Sequence, residues 1–267
     1  MVPAPEIPVT TLPGGACIWP VPAFRDNYIW VLEDRGRATV IDPGEAAPVQ
    51  RARGLVLDTI VVTHHHADHV GGIAELTAGT SVRIVGPRRS PYTGSDTKVG
   101  EGDCVTLAGH EFTVMEVPGH TLDHVAYRSA VLGLLLCGDT LFSCGCGRLF
   151  EGTAPQLHGA LRRFAALPPS TLVFCTHEYT SANIRFARAV EPDNAALAAR
   201  SAQCDALRAA QLPTLPSTMG QELATNPFLR CAEPTVRVAV RNHAGTDPGD
   251  ETAVFAALRA WKDVFQG

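Results

Sequence analysis

An α+β protein in two parts is what the sequence predicts: a β-rich stretch over residues 1–177 and a mainly helical one over residues 178–267. Two observations carry this. Up to His177, short β-branched and apolar runs recur between glycine and proline breaks, and most of them end in a histidine or an aspartate. After His177, alanine-rich stretches with helical spacing take over, and Val236–Val240 is the one further run of strand character.

The elements follow in order. Asn27–Leu32 and Ala38–Ile41 read as paired strands with a turn at Gly36, and Asp42-Pro43-Gly44 breaks the second. Ala46–Gly54 suits a short helix. Thr59–Val62 is a buried-type strand, Val70–Leu76 a short helix running toward Gly79, and Val82–Val85 another strand. Residues 87–102 carry glycine and proline breaks and read as a long loop. Cys104–Leu107 with Phe112–Val117, and Val125–Arg128 with Val131–Cys137, form two further strand pairs. Thr153-Ala154-Pro155-Gln156 has the pattern of a helix start, with Leu157, Leu161 and Phe164 at helical spacing behind it. Thr171–Cys175 is the last strand of this part. Ser181–Val190 and Asn194–Gln211 are helices. A final helix starts at Asp247-Pro248, with Val254, Leu258, Trp261 and Phe265 as its apolar stripe.

Candidate chemistry gathers where strands run out. In Thr63-His64-His65-His66-Ala67-Asp68-His69, residues i and i+2 of an extended strand end point the same way, so His64 and His66 can converge while His65 turns elsewhere. Asp68 and His69 lie on the turn into a helix and aim at a second point nearby. His120, Asp139 and His177 each end a later apolar run, and Asp42 ends one without an evident partner. Imidazole and carboxylate suit zinc, iron or manganese. Two groups of three, with Asp139 able to bridge, fit two metal ions, and a water shared by two cations is a nucleophile near neutral pH. The expected reaction is a hydrolysis. His65 and His124 read as supporting residues, and His110 in a turn, His158 on a helix face and His243 in a loop as ordinary ones.

Composition bounds the rest. The chain has 267 residues, 45% hydrophobic and 18% charged, with a net charge of -5, so no global charge invites nucleic acid or an anionic membrane. Pro3, Pro5 and Pro8 interrupt the start, no export leader is expected, and no run has the length of a membrane span. The eight cysteines are scattered and read as reduced, mostly buried thiols in a cytoplasmic monomer, with Cys144-Gly145-Cys146 structural.

With these residues in place, the chain resembles the metallo-β-lactamase superfamily through Thr63–His69, a strand-end histidine, Gly138-Asp139-Thr140 and a late histidine. More narrowly it resembles the glyoxalase II (hydroxyacylglutathione hydrolase) family, through Pro22–Tyr28, Cys146–Thr153, His177–Thr180 and Asn226-Pro227-Phe228-Leu229-Arg230. The resemblance implies an αββα sandwich with a C-terminal helical, glutathione-binding domain. It implies hydrolysis of S-D-lactoylglutathione to D-lactate and glutathione by a metal-bridging hydroxide, in methylglyoxal detoxification. It assigns His64, His66 and His120 to one ion and Asp68, His69 and His177 to the other, with Asp139 bridging, and makes Asp68 and Asp139 the catalytic carboxylates. The ions are expected to be zinc, with iron or manganese as alternatives. Arg148, Arg259, Lys262 and Tyr179 match glutathione-contacting positions. Phe150 stands where some members have tyrosine and cannot donate that hydrogen bond, and Cys144 stands where glycine is common. A thiolate leaving group, with a pKa near 8.5, departs without a general acid, in keeping with a thioester substrate. The alternative is a glutathione persulfide dioxygenase of the same superfamily, which would use one iron and would not need Asp68, His69 and His177 together.

Overall fold

The computed structural model describes residues 8–52, 56–247 and 249–267, and their contacts fall into two compact units. The first unit holds the described residues up to Val117, with Asp123–Gly138 and Phe174–His177. In it β1 (Thr10–Thr11), β2 (Cys17–Ala23), β3 (Asn27–Asp34), β4 (Arg37–Ile41), β5 (Leu57–Val61), β6 (Arg83–Pro87) and β7 (Thr97–Val99) lie side by side in sequence order. Pairing is antiparallel from β1 to β4 and parallel from β4 to β7. Parallel neighbours need a crossover. Between β4 and β5 it is supplied by α1 (Ala46–Arg51), between β5 and β6 by α2 (Ala67–Val70) with α3 (Ile73–Thr77), and between β6 and β7 by residues 88–96, which hold no helix. A second, antiparallel sheet runs in the order β11-β10-β9-β8, from Leu134–Gly138, Val125–Ser129, His110–Glu116 and Cys104–Leu107.

Strand β3 shows why the two sheets face each other. Both of its faces are apolar, so both need cover. Ile29 and Val31 join Val40, Ile60 and Val62 beneath Ala46, Val49, Ile73 and Leu76 of the helices. Alternation sends Trp30 the other way. There it meets Phe174 edge-on at 4.8 Å, and its Nε1 donates to the Cys175 carbonyl at 2.8 Å. The Tyr127 hydroxyl of β10 likewise donates to the Val62 carbonyl at 2.8 Å. Each such buried aliphatic or aromatic side chain contributes about 1.5–3 kcal/mol.

The second unit comprises Pro118–Leu122, Asp139–Val173 and Glu178–Gly267. It contains a small hairpin, β12 (Leu141–Phe142) with β13 (Gly145–Cys146), followed by α4 (Ala154–Ala165). Strand β14 (Leu172–Cys175) begins in this unit and pairs there with β15 (Ser217–Thr218). The helices are α5 (Thr180–Val190), α6 (Ala195–Ala209), α7 (Met219–Thr225), α8 (Pro234–Ala244) and α9 (Glu251–Val264). Phe228 packs between Phe186 and Phe255, with ring centroids 5.9 and 5.7 Å away.

Several sequence expectations are corrected. Val236–Val240 belongs to helix α8, with Pro234 in its first turn and Gly245 ending it in the left-handed conformation. Its valines at 236 and 240 are buried at helical spacing. His243 therefore lies on a helix, stacked on Trp261 at 4.0 Å. The cap of α9 is Asp250, which accepts from the Ala253 N–H at 2.8 Å; Asp247 bonds Gly249 instead, and Pro248 lies outside the described residues. The long loop over 87–102 contains β7, and Cys17–Ala23 is a strand despite Pro20 and Pro22. The helix expected over Ala46–Gly54 ends at Arg51, and Arg53 and Gly54 lie outside the described residues. All eight cysteines are unpaired as disulfides, with Cys17 half-buried, Cys104 exposed and the rest buried.

Candidate metal centre

Within the first unit, β5 runs out through Val62 into the histidine loop. His64 is fully buried, and its Nε2 lies 3.0 Å from Nδ1 of His66. Helix α2 starts at Ala67 and carries Asp68 and His69 on its first turn, while His177 follows the exit of β14. Donor atoms of Asp68, His69 and His177 lie within 4.8 Å of one another. Asp68 Oδ2 is 3.6 Å from His69 Nε2 and 3.5 Å from His177 Nε2. Donors about 2.1 Å from one cation at tetrahedral angles stand about 3.4 Å apart, so this spacing fits a shared metal ion.

The far side of each imidazole fits as well. Asp42 Oδ2 lies 3.2 Å from His69 Nδ1, and Asp26 Oδ1 lies 3.0 Å from His177 Nδ1. Asp42 also accepts from the Thr63 N–H at 2.7 Å and the Thr63 hydroxyl at 2.8 Å, and that hydroxyl lies 3.1 Å from His64 Nδ1. An acceptor on Nδ1 keeps the proton there and leaves the Nε2 lone pair for a metal. Asn27 Nδ2 donates to Asp68 Oδ2 at 3.0 Å and orients that carboxylate. His65 turns away to Asp123 at 2.9 Å, and His124 is buried and stacked on His64 at 4.6 Å. His110 bonds Asp34 at 3.0 Å, away from the histidine loop.

The second unit brings His120 and Asp139 together, with His120 Nε2 3.5 Å from Asp139 Oδ2. His120 Nδ1 donates to the Arg148 carbonyl at 2.9 Å, so here too the inner nitrogen is left as a lone pair. Phe150 is exposed and sits edge-on to His120 at 5.2 Å. Tyr179 packs edge-on to Phe142. His158 is buried against Phe255 and bonds Thr252 at 3.0 Å.

Arg148 and Arg259 share one carboxylate, Asp263, and Lys262 lies next to it in sequence on the same helix. Arg259 is buried; its Nη2 donates to Asp263 at 3.0 Å and its Nη1 to the Cys146 carbonyl at 3.1 Å. Arg148 Nε is 3.7 Å from Asp263, and Lys262 Nζ donates to the Ala182 carbonyl at 3.1 Å. Burial first, then Arg259 and its neighbouring cations, brings the Lys262 ammonium down to about 8.

Asp26, Asn27, Asp42 and Thr63 are the residues that sequence reasoning left without a role. The signal for Asp42 was its place at the end of an apolar run. Asp26 and Asn27 stood only within a matching stretch. Cys144 has φ 57, the left-handed region that glycine enters at no steric cost.

The fold and the histidine–aspartate cluster define a metal-binding member of the metallo-beta-lactamase superfamily, and that family's model matches residues 23–177. The model for the hydroxyacylglutathione hydrolase C-terminus matches residues 178–265. Hydroxyacylglutathione hydrolases of Dechloromonas aromatica and Cupriavidus taiwanensis are 51% and 52% identical, each match covering 92% of this chain and 98% of the relative. The chain belongs to the hydroxyacylglutathione hydrolase family. The crystal structure of ETHE1 from Myxococcus xanthus shares the fold, at TM-score 0.61 and 23% identity, covering 92% of this chain and 93% of that one.

Proposed function

We propose that this protein hydrolyses S-D-lactoylglutathione, a 2-hydroxyacyl glutathione thioester, to D-lactate and glutathione, in methylglyoxal detoxification. In this reading His64, His66 and His120 hold one divalent cation and Asp68, His69 and His177 a second, with Asp139 shared between them. A pair of such cations, zinc or else iron or manganese, supplies a nucleophile from water at neutral pH and polarises the thioester carbonyl. The observation that carries the reading is the Asp68–His69–His177 group, with donors at cation-sharing distances and with Asp42 and Asp26 behind the two imidazoles. A full second-ion set favours the hydrolase over a one-iron persulfide dioxygenase.

The chain's own residues divide the remaining work. Asp42, Thr63, Asp26 and the Arg148 carbonyl fix the histidine protons on the outer nitrogens. Asn27 holds the Asp68 carboxylate. Arg148, Arg259 and Lys262 receive a carboxylate of glutathione, Tyr179 contributes its hydroxyl, and Phe150 offers ring surface only. The functional division falls at residue 177, between metal ligands and the helical glutathione-binding part. The thiolate leaves without a protonating acid because its pKa is near 8.5. The test is thioester loss with S-D-lactoylglutathione, measured with metal analysis and with oxygen uptake on glutathione persulfide. Metal-dependent thioester loss with no oxygen uptake is expected; oxygen uptake without thioester loss overturns the proposal.

A further inference from the structure

Seven residues after the Asp139 position the chain has turned back on itself. Strands β12 and β13 pair Leu141 with Cys146 and Phe142 with Gly145, leaving Ser143 and Cys144 as a two-residue tip. Asp139 enters this hairpin and Arg148 leaves it. The base is tight: the Gly147 N–H reaches the Thr140 carbonyl at 3.3 Å, and a Cβ at Gly147 would stand 2.1 Å from the Asp139 carbonyl oxygen. The Arg148 carbonyl accepts from His120 Nδ1 at 2.9 Å, and the His120 carbonyl accepts in turn from the Phe150 N–H at 3.2 Å. So the orientations of Asp139 and His120 both depend on where this hairpin sits.

The hairpin is too short to hold itself in place. Two ladder pairs are far below what an isolated hairpin needs. Its tip is instead held by side chains from the helices, which bond main-chain atoms of residues 142–145. Asn226 Nδ2, at the end of α7, donates to the Gly145 carbonyl at 2.9 Å and the Phe142 carbonyl at 3.2 Å. Glu222, one helical turn earlier, accepts from the Cys144 N–H at 2.8 Å and from Asn226 Nδ2 at 3.1 Å. Asn183 Nδ2 of α5 donates to the Ser143 carbonyl at 3.1 Å. Glu222 and Asn226 are fully buried. A buried carboxylate is retained only where it is hydrogen-bonded, and the Cys144 N–H at the tip and the Asn226 amide beside it both donate to this one, with Ser217 and Ser143 nearby.

We infer that Glu222 and Asn226 are positioning residues for the metal centre: they clamp the β12–β13 hairpin so that Asp139 and His120 keep the alignment a cation requires. The inference rests on the proposed ligand roles of Asp139 and His120. Neither clamp residue belongs to the groups that could hold a metal ion. Both sit in the helical part of the sequence, so that part sets ligand geometry as well as receiving glutathione.

The test uses the full-length holoenzyme and zinc as the probe, with affinity read by chelator competition and kcat and KM read on the thioester. Asn226→Ala and Glu222→Ala are expected to weaken zinc binding about 10- to 100-fold, as loss of groups behind ligands does. They are also expected to lower kcat and, because Arg259 bonds the Cys146 carbonyl and Arg148 leaves the hairpin, to raise KM by a smaller factor. Glu222→Gln keeps an oxygen for the Cys144 N–H and is expected to restore most of the zinc affinity. Should either alanine variant fail to fold by circular dichroism, Asn183→Ala, which removes one bond to the tip, carries the same readings with a smaller loss. Folded variants with wild-type zinc affinity and kcat overturn the clamp. Asp139→Asn and His120→Ala are the controls: if these too bind zinc as wild type, the metal-centre assignment fails, whereas weakening there without weakening in the clamp variants sinks the clamp alone.

Discussion

Asp42→Asn isolates the control of two imidazoles by one carboxylate. Asp42 is buried with φ 52, a conformation that asparagine adopts readily, so the backbone is not penalised. The amide oxygen can keep the 2.7 Å bond from the Thr63 N–H. The amide nitrogen then takes the place of Oδ2, facing His69 Nδ1 and the Thr63 hydroxyl. If His69 keeps its Nδ1 proton, donor faces donor in a buried site, at about 1–3 kcal/mol. If the proton moves to Nε2, the lone pair aimed at Asp68 and His177 is gone. The Thr63 hydroxyl, now receiving from the amide, turns its own proton toward His64 Nδ1 and drives that ring the same way. At 1.4 kcal/mol per tenfold, one such conflict weakens metal binding about 5- to 150-fold. Chelator competition with zinc measures it, and the melting temperature of the metal-free variant controls for folding. A folded Asp42→Asn protein that binds zinc as tightly as wild type would refute the reasoning.

Four further outcomes are expected. His177→Ala removes one of the three donors around Asp68, and kcat should fall more than about a hundredfold because several kcal/mol of charge stabilisation is lost; unchanged circular dichroism with full activity would count against the metal role. The Lys262 ammonium, brought down to about 8, is charged below that pH and neutral above it, so KM for the thioester should rise above about pH 8 and the break should vanish in Lys262→Arg. The same lowering means the unfolded chain binds the proton more tightly, so this residue's contribution to stability rises with pH between about 8 and its usual 10.5, as pH-dependent melting would register. Gly44→Ala would put a Cβ 2.0 Å from the Asp68 carbonyl oxygen, so the loop bearing Asp68 and His69 must shift, with lost zinc affinity and a lower melting temperature.

The first-sheet strands with strong β-branched character were legible because both of their faces are buried, as β3 and β5 show. Val236–Val240 misled for a related reason. Valine at alternate positions satisfies a strand pattern, yet Val236 and Val240 are also four apart and fill one side of α8, where Pro234 and Gly245 set the limits. Period alone does not separate the two over five residues. Cys17–Ala23 was hidden by two prolines that the strand accommodates while pairing along its length with β3.

The histidines and aspartates of the centre were legible because each follows an apolar run within one local stretch. The groups behind them were not, because strand pairing brings them in from far along the chain. Strands β4 and β5 pair in parallel with Ile41 beside Val61, so the next residue on one strand, Asp42, comes level with the approach to Thr63 and His64 on the other. The Asp42 N–H bonds the Val61 carbonyl at 2.9 Å, and its side chain then reaches the histidine loop. The β2–β3 turn does the same for the exit of β14: the Tyr28 N–H donates to the Thr176 carbonyl at 2.7 Å, which sets Asp26 and Asn27 against His177 and Asp68. Both strand exits that offer candidate ligands in this unit thus take their proton control from chain distant in sequence, His64 and His69 from the exit of β4 and His177 from the β2–β3 turn. Asp42, an aspartate ending an apolar run without a ligand motif of its own, owes its place to β4 lying beside the ligand-bearing β5.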